Sequence, residues 1–355
     1  MKSLHSGRYA LGISMVAALL SACGGSQPPI GAPGTMLQAP VASQAVRPAE
    51  GSGPFLYVGG NKVAMFALNS SKPLHATKAD PYNYGSGLAL DLHGHLCVSS
   101  GNLSNQQIYE YDARTLKLVG VTDESGYFAA LVADRYGYLY ASSVFGILVY
   151  APGCTKQVNN LRHGGDALVF DRAGNLYAGL GNAVGVYAPE QRRGHMRFVR
   201  RIHDGLKSLV SALAIGPSDE LFVADEVGRK GGYVVVYRRG GSMPVKKITE
   251  GIETPELLAV DSKGWLYVDN CPYTACGAGW RHGWISVYAP GSTQPTRRVR
   301  FEDPVALAID PSDNLYVLDS YRRRTVLVYS PGAAKLLRKI TDSIDNSAAL
   351  LIGSP

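Results

Sequence analysis

Short apolar runs separated by polar turns recur from residue 53 to the end of the chain. The clearest copy is residues 306–342, ALAIDPSDNLYVLDSYRRRTVLVYSPGAAKLLRKITD. Its runs are apolar or alternate apolar with polar residues, and Pro, Asp and Gly bound them, which is typical of β-strands. The pattern predicts strand A at 306–310, strand B at 314–318, strand C at 325–330 and strand D at 336–341.

The same unit repeats along the chain. A leucine marks strand B in every copy, at Leu56, Leu96, Leu139, Leu176, Leu221, Leu266 and Leu315, with gaps of 37 to 49 residues. An aspartate closes strand A in five copies, at Asp91, Asp134, Asp171, Asp261 and Asp310. A single four-stranded sheet cannot bury both faces without neighbours, so units of this length predict the blades of an all-β propeller.

The two ends of the repeat region complement each other. Residues 55–80 contain strands B, C and D but no strand A, whereas residues 348–352 (AALLI) resemble a lone strand A. Joined, they form one composite blade, which makes about seven four-stranded blades over residues 53–355. A six-blade arrangement with irregular ends remains open at this point.

Residues 306–332 resemble the NHL repeat, a propeller unit with an apolar-Asp strand, a Gly or Asn turn and a following Tyr-Val-x-Asp. The resemblance covers residues 55–355 and is weak near residues 55 and 129. It implies a propeller fold and leaves the function open. Propellers of this kind include metal-dependent lyases and lactonases, which gather His or carboxylate ligands from several blades at the central channel, and binding modules.

The N-terminus has the three segments of an export leader. Lys2 and Arg8 precede an apolar run at residues 9–20, which is too short to span a bilayer. Leu20-Ser21-Ala22-Cys23 resembles the bacterial lipobox, which implies a signal peptide at 1–22 and a lipid such as palmitate on Cys23. The alternative is an ordinary secretory signal with a chance cysteine. Position 24 is Gly rather than Asp, which by the same resemblance favours the outer over the inner membrane.

Residues 23–52 therefore carry the lipidated cysteine and a linker rich in Gly, Pro and Ser, which predicts a flexible tether for an extracytoplasmic domain at 53–355. The formal charge of +7 does not indicate nucleic-acid binding, because the chain has no basic helix, zinc-finger spacing or ribonucleoprotein motif. Whether the anchor faces the periplasm or the surface is open.

Strand D carries most of the candidate charged contacts. Its cations are Arg197, Arg200, Arg201, Lys246, Lys247, Arg297, Arg298, Arg300, Arg338 and Lys339. Charges on an edge strand block aggregation; the alternative is docking to an anionic partner. The connectors from strand D to the next strand A carry Asp123, Asp204, Glu250, Asp303 and Asp342. They form either a carboxylate ring for a cation or sugar, or a soluble rim.

One loop between strands B and C is longer than the others. Residues 269–283, DNCPYTACGAGWRHG, include Tyr273, Trp280, Arg281 and His282 as candidate ligand contacts. Cys271 and Cys276 flank a short turn and predict a local disulfide in an oxidising compartment. The alternative is a loop that only packs on the next blade. Whether Cys97 pairs with Cys154 or is simply buried cannot be read from the sequence.

His163, His203 and His282 could reach the channel face from three blades, so they are the candidates for a metal site. No fixed spacing, nucleophile elbow or phosphate loop accompanies them. We therefore predict a membrane-anchored binding or scaffold module for a protein or polysaccharide partner, without a cofactor. The alternative is a lyase or lactonase with a divalent metal at the central channel, and whether the protein is an enzyme stays open.

Overall fold

The computed structural model describes residues 53–78, 87–102, 105–123, 126–143, 145–228, 231–270, 283–319, 324–344 and 347–355. In these residues the secondary structure consists almost entirely of β-strands, with a short 3-10 turn at Pro331–Ala333. The strands form seven antiparallel four-stranded sheets. Within the described residues, no helix is long and apolar enough to cross a membrane.

We number the strands β1 to β28 and the blades 1 to 7 in chain order, innermost strand first. Blade 1 is β28 (Ala349–Gly353), β1 (Phe55–Gly59), β2 (Val63–Ala67) and β3 (His75–Ala76). Blade 2 is β4 (Gly87–Leu90), β5 (His95–Asn102), β6 (Asn105–Asp112) and β7 (Leu118–Val121). Blade 3 is β8 (Phe128–Ala133), β9 (Leu139–Ser143), β10 (Gly146–Tyr150) and β11 (Gln157–Leu161).

The remaining four blades repeat this order. Blade 4 is β12 (Leu168–Phe170), β13 (Leu176–Gly179), β14 (Val184–Pro189) and β15 (Met196–Ile202). Blade 5 is β16 (Leu209–Ile215), β17 (Leu221–Glu226), β18 (Gly232–Tyr237) and β19 (Pro244–Ile248). Blade 6 is β20 (Pro255–Val260), β21 (Leu266–Asn270), β22 (Gly283–Tyr288) and β23 (Pro295–Phe301). Blade 7 is β24 (Pro304–Ile309), β25 (Leu315–Asp319), β26 (Thr325–Tyr329) and β27 (Leu336–Ile340).

The ring closes through the two ends of the chain. Each innermost strand contacts the next one around the ring, from β4 through β24 to β28 and back to β4. The C-terminal β28 pairs antiparallel with the N-terminal β1, with Leu56 opposite Ile352. The prediction of seven blades with one composite blade is confirmed, and the six-blade alternative is wrong.

The predicted strand limits in blade 7 are correct to within one or two residues. Strand A starts earlier than predicted, at Pro304, because the chain bulges between Pro304 and Ala306 and then resumes pairing. It ends at Ile309 because the side chain of Asp310 turns back onto the following loop. Asn314 belongs to that turn rather than to strand B, since its amide donates to Asp310.

The hydrophobic core lies between neighbouring blades. Leu56 and Phe66 of blade 1, for example, pack in one buried cluster with Leu318, Val326 and Val328 of blade 7. Alternation along each strand sends side chains to both faces of a blade, and both faces are covered by the neighbouring blades. Each such side chain contributes about 1.5–3 kcal/mol when fully buried.

A disulfide links two blades. Cys97 in β5 of blade 2 bonds to Cys154 in the turn before β11 of blade 3, with a Cα–Cα distance of 6.1 Å. Both residues are buried. The pairing that the sequence left open is therefore formed. The predicted Cys271–Cys276 pair and the lipidated Cys23 lie outside the described residues.

Candidate functional site

The aspartates that close strand A are structural. In blade 7, one oxygen of Asp310 accepts the backbone N–H groups of Ser312 and Asn314 at 2.8 and 2.9 Å. The other oxygen accepts the Asn314 amide at 2.8 Å and the Tyr316 hydroxyl at 3.3 Å. The same capping of the A–B turn is made by Asp91, Asp134, Asp171 and Asp261. These carboxylates are fully engaged, so they are not site residues.

A second set of buried polar side chains holds the connectors on the opposite face. At the end of strand B, Asp225 accepts the backbone N–H of Ser208 at 3.0 Å, and Asp319 accepts that of Asp303 at 2.8 Å. Asn270 accepts the N–H of Glu253 at 2.9 Å in the same way. The Asp of the Tyr-Val-x-Asp pattern is thus a structural residue that fixes the entry to the next strand A.

A small cavity lies among the innermost strands on the connector face. It has a volume of about 30 Å³, which is room for about two water molecules. Its lining comes from four consecutive blades and consists of Tyr127, Ala129, Asp166, Leu209, Ser211, Glu226 and Glu256. None of the five connector acids predicted from the sequence lines it. The cavity accommodates a water molecule or a bare ion but not a sugar.

The acidic groups of this cavity hold their protons more tightly than usual. Burial raises the pKa of the Glu226 carboxyl and of the Asp166 carboxyl. Burial, and then the charge of Asp166, raise the pKa of the Tyr127 hydroxyl. Removal from water disfavours the charged carboxylates, and here no cationic side chain is among the causes of the shift. The carboxyl groups of Asp166 and Glu226 therefore stay neutral up to a higher pH than free carboxyl groups do.

The predicted histidine site is only partly described. His163 is exposed, and its ring lies 5.8 Å from the Phe198 ring centre to centre. His203 is exposed, and its Nδ1 lies 2.9 Å from the Asp204 carboxylate. No cluster of three or more His, Cys, Asp or Glu side chains able to hold a metal exists among the described residues. His282 and the other loop candidates, Tyr273, Trp280 and Arg281, lie outside those residues.

The cations of strand D form a one-sided surface, which we call the basic arc. It consists of the ten residues Arg197, Arg200, Arg201, Lys246, Lys247, Arg297, Arg298, Arg300, Arg338 and Lys339, on β15, β19, β23 and β27 of blades 4 to 7. The corresponding strands β3, β7 and β11 of blades 1 to 3 contain no Lys or Arg. None of the seven outer strands contains Asp or Glu. The arc spans four neighbouring blades.

Strand pairing divides most of the arc into two rows. The inner row, Arg200, Lys246, Arg297 and Arg338, lies opposite a valine of strand C and is half-buried. The outer row is the next residue in each blade, Arg201, Lys247, Arg298 and Lys339, and is exposed. The restriction of these cations to one side of the ring is visible in the sequence, since all ten fall in four consecutive units. Only the strand pairing separates the inner row from the outer row.

The inner row mostly joins blades. Lys246 Nζ donates to the carbonyl of Gly291, and Arg297 Nη1 donates to that of Ala333 at 3.3 Å. Arg338 Nη2 donates to the carbonyl of Leu68. Each acceptor lies in the C–D turn of the next blade. The outer row instead lies over the outer surface, where Lys247 stands 3.3 Å from the centre of the Tyr233 ring.

Comparison with solved structures supports the propeller fold. A protein from Lactobacillus plantarum aligns with TM-score 0.65 and 12% identity over 85% of this chain and 99% of its own. A proposed 6-phosphogluconolactonase from Bacteroides uniformis aligns with TM-score 0.63 and 13% identity over 85% and 99%. A quinoprotein alcohol dehydrogenase-like protein from Bacteroides thetaiotaomicron aligns with TM-score 0.60 and 13% identity over 84% and 77%. At such identities the similarity shows the fold alone.

No protein-family model matches the chain. No curated protein matches it either. The resemblance to NHL repeats therefore rests on the residues of the repeat, and the function has to be argued from the surface.

Proposed function

We propose that this protein is a lipid-tethered, extracytoplasmic propeller that binds an acidic polysaccharide through the basic arc. The observation that supports it most is the one-sided charge of the outer strands. Ten cations lie on the outer strands of four consecutive blades, and none of them forms an ion pair with an acid among the described residues. A surface of one sign spread over neighbouring elements attracts a polymer of the opposite sign.

Protection of sheet edges does not explain this distribution. Every blade has an outer edge, so protection would place charges on all seven, and acids would serve as well as bases. Blades 1 to 3 instead present side chains such as Leu118, Val158 and Asn160. The cations of the outer strands therefore lie on one side of the ring, although the C–D turns of blades 1 to 3 also carry the exposed Lys72, Lys117 and Lys156.

The outer row is the part of the arc that would contact the polymer. Burial lowers the pKa of Lys247, and the nearby Lys207 ammonium lowers it further. Crowded cations of this kind gain from an added anion, because it reduces their mutual repulsion. Arg298 lies 5.5 Å from the Trp284 ring centre, so a flat apolar surface accompanies the charge in blade 6.

The central cavity supports an enzymatic role less well than the arc supports binding. Pockets for small organic ligands have volumes of about 300–1,000 Å³, whereas the cavity among the described innermost strands has about 30 Å³. We therefore place the partner on the outer surface.

The test is the binding of the full-length chain to polygalacturonate, a uronic acid polymer, with neutral dextran as the control polymer. The variant carries Arg201→Gln, Lys247→Gln, Arg298→Gln and Lys339→Gln. Four exposed ion pairs at roughly 0.5 kcal/mol each make about 2 kcal/mol, so we expect an about thirty-fold loss of affinity. A matched variant with the same change in charge uses the exposed cations of blades 1 to 3, Lys72→Gln, Lys117→Gln, Lys156→Gln and Arg135→Gln.

The matched variant should keep most of the affinity, and the affinity of the wild type should fall steeply with added salt. Equal losses in the two variants would show that net charge alone attracts the polymer and would overturn the proposal. So would tight binding of dextran, or no binding of polygalacturonate at low salt.

The tether is a separate part of the proposal and rests on the leader and Cys23. We expect the wild type in the membrane fraction and Cys23→Ser in the soluble extracytoplasmic fraction, as followed by fractionation and labelling with a palmitate analogue. Equal labelling of the two forms would contradict the tether and leave the binding surface untouched.

A further inference from the structure

One inner-row cation departs from the pattern of the others. Lys246, Arg297 and Arg338 each donate to a carbonyl in the C–D turn of the next blade. Arg200 occupies the same position in blade 4, opposite Val186. In the part of the chain that the structure describes, its buried Nε has no hydrogen-bond partner, which is equally true of Arg297 and Arg338. Arg200 differs from those two arginines because, among the described residues, its guanidinium donates to no such carbonyl. A buried N–H without an acceptor costs about 1–3 kcal/mol, and no carbonyl contact holds this guanidinium in place, so it can take an acceptor from outside.

A cavity of about 230 Å³ lies beside Arg200, between blades 4 and 5. Arg197 and Arg200 of β15 and Arg239 of the next C–D turn contribute to its lining, together with Tyr177 and Asn175. The turn of blade 5 reads Arg238-Arg239-Gly240-Gly241, where blades 6 and 7 have Pro-Gly. Three arginines thus line this cleft, at the position where blades 5 to 7 have the contact between an inner-row cation and a carbonyl of the next blade.

Two acids lie at this cleft: Asp171 is engaged by hydrogen bonds, whereas Asp219 makes only ion pairs and its buried Oδ1 accepts no hydrogen bond from the described residues. Asp171 lines the cavity, but its oxygens accept the Asn175 backbone N–H, the Asn175 amide and the Tyr177 hydroxyl at 2.8, 2.8 and 3.3 Å. Asp219 lies 3.5 Å from the Nε of Arg239 and 3.9 Å from that of Arg172, and it orients the arginine of the turn. Neither carboxylate lies within ion-pair distance of Arg197 or Arg200.

We infer that the cleft between blades 4 and 5 binds the acidic group of a single sugar residue, with the Arg200 guanidinium as its central donor. This inference rests on the proposed function, because the acidic group belongs to the polysaccharide that the basic arc would bind. Arginine forks recognise carboxylate, sulfate and phosphate oxygens with paired N–H donors. The volume is below the range of about 300–1,000 Å³ for pockets of drug-sized ligands and suits one charged residue of a chain.

The experiment is calorimetric titration of the full-length chain at low ionic strength with galacturonate, inorganic sulfate and inorganic phosphate, each against galactose as the uncharged probe. The variant is Arg200→Gln, and Arg338→Gln is the matched control at the equivalent position of blade 7. We expect Arg200→Gln to weaken binding of the preferred anion about tenfold to a hundredfold and Arg338→Gln to leave it unchanged.

Thermal unfolding separates binding from structure. Arg338→Gln loses the contact with Leu68, so its melting temperature should fall. Arg200→Gln loses no such contact, so its melting temperature without anion should match the wild type. The preferred anion should raise the melting temperature of the wild type and of Arg338→Gln but not that of Arg200→Gln.

Several outcomes would contradict the binding of an acidic group in the cleft. These are equal anion affinity in the wild type and Arg200→Gln, equal loss in both variants, or binding of none of the three anions at about 50 mM, far above the range of specific sites. If polygalacturonate still binds through the outer row, only the inference about the cleft is wrong. If small anions bind at Arg200 but the polymer does not bind the outer row, only the proposed function is wrong.

Discussion

Reduction of the Cys97–Cys154 disulfide should destabilise the propeller without changing its fold. The two cysteines are 57 residues apart and join blades 2 and 3. For a loop of this length, the chain-entropy relation gives about 14 cal/mol/K, or about 4 kcal/mol at 25 °C. Both sulfur atoms are buried in the cluster between the two blades. Reduction leaves their packing almost unchanged, so the loss reports the cross-link.

The assay is urea unfolding followed by fluorescence and circular dichroism, with and without reductant. The starting protein carries Cys271→Ser and Cys276→Ser, so that reductant does not act on a second predicted disulfide. The comparison is the same protein with Cys97→Ala and Cys154→Ala added. We expect reductant to lower the unfolding free energy of the first protein by up to about 4 kcal/mol and to leave the second unchanged.

If reductant leaves the unfolding free energy of the first protein unchanged, the prediction is wrong, because the cysteines are then unpaired or the cross-link does not constrain the unfolded chain. The prediction is equally wrong if the alanine variant responds to reductant by the same amount. If reduction changed only the dependence of the unfolding free energy on urea concentration, the effect would be a change in the unfolded state instead.

Two further predictions concern carboxyl groups. Asp310→Ala should lower the unfolding free energy by about 2–4 kcal/mol, because four donors lose their acceptor; an equal loss in the exposed control Asp342→Ala, measured by urea unfolding, would refute the structural role. Burial raises the pKa of Glu226, so the wild type loses stability as the pH rises through that pKa. Glu226→Gln should therefore be more stable than the wild type at about pH 7, with the advantage vanishing near pH 4; a pH-independent difference in unfolding experiments would contradict this.

The basic arc and the cleft are two parts of one proposed binding mode, the arc for the polymer and the cleft for a single charged group. The outer row lies on the outer strands of blades 4 to 7 and suits a flexible, repeating charge. The cleft at Arg200 lies at the blade 4 end of that surface and suits a single charged group. Long-range attraction from the arc raises the rate of encounter, whereas the half-buried Arg200 guanidinium contributes selectivity.

The site could be predicted from the sequence only in part. All ten cations of the arc are visible in the repeat, and so is the structural role of turn aspartates such as Asp310. The carboxyl groups that line the central cavity were missed, because Asp166, Glu226 and Glu256 come from three different units and meet only at the ring's innermost strands. His163 and His203 were grouped on one face, but in the described residues His163 contacts Phe198 and His203 contacts Asp204, and no metal-binding cluster forms there.

The sequence by itself indicated the propeller, about seven blades and the composite closure, because a hydrophobic period of two and a turn at each strand end are local signals that the repeat restates along the chain. The structure decided between seven blades and six. Only the tertiary structure decided that Cys97 meets Cys154, that three inner-row cations bind the next blade, and that Arg200 faces a cleft instead. These features depend on how a turn of one blade approaches a strand of the neighbouring blade. That distance is set by the packing of whole sheets and leaves no local pattern in the chain.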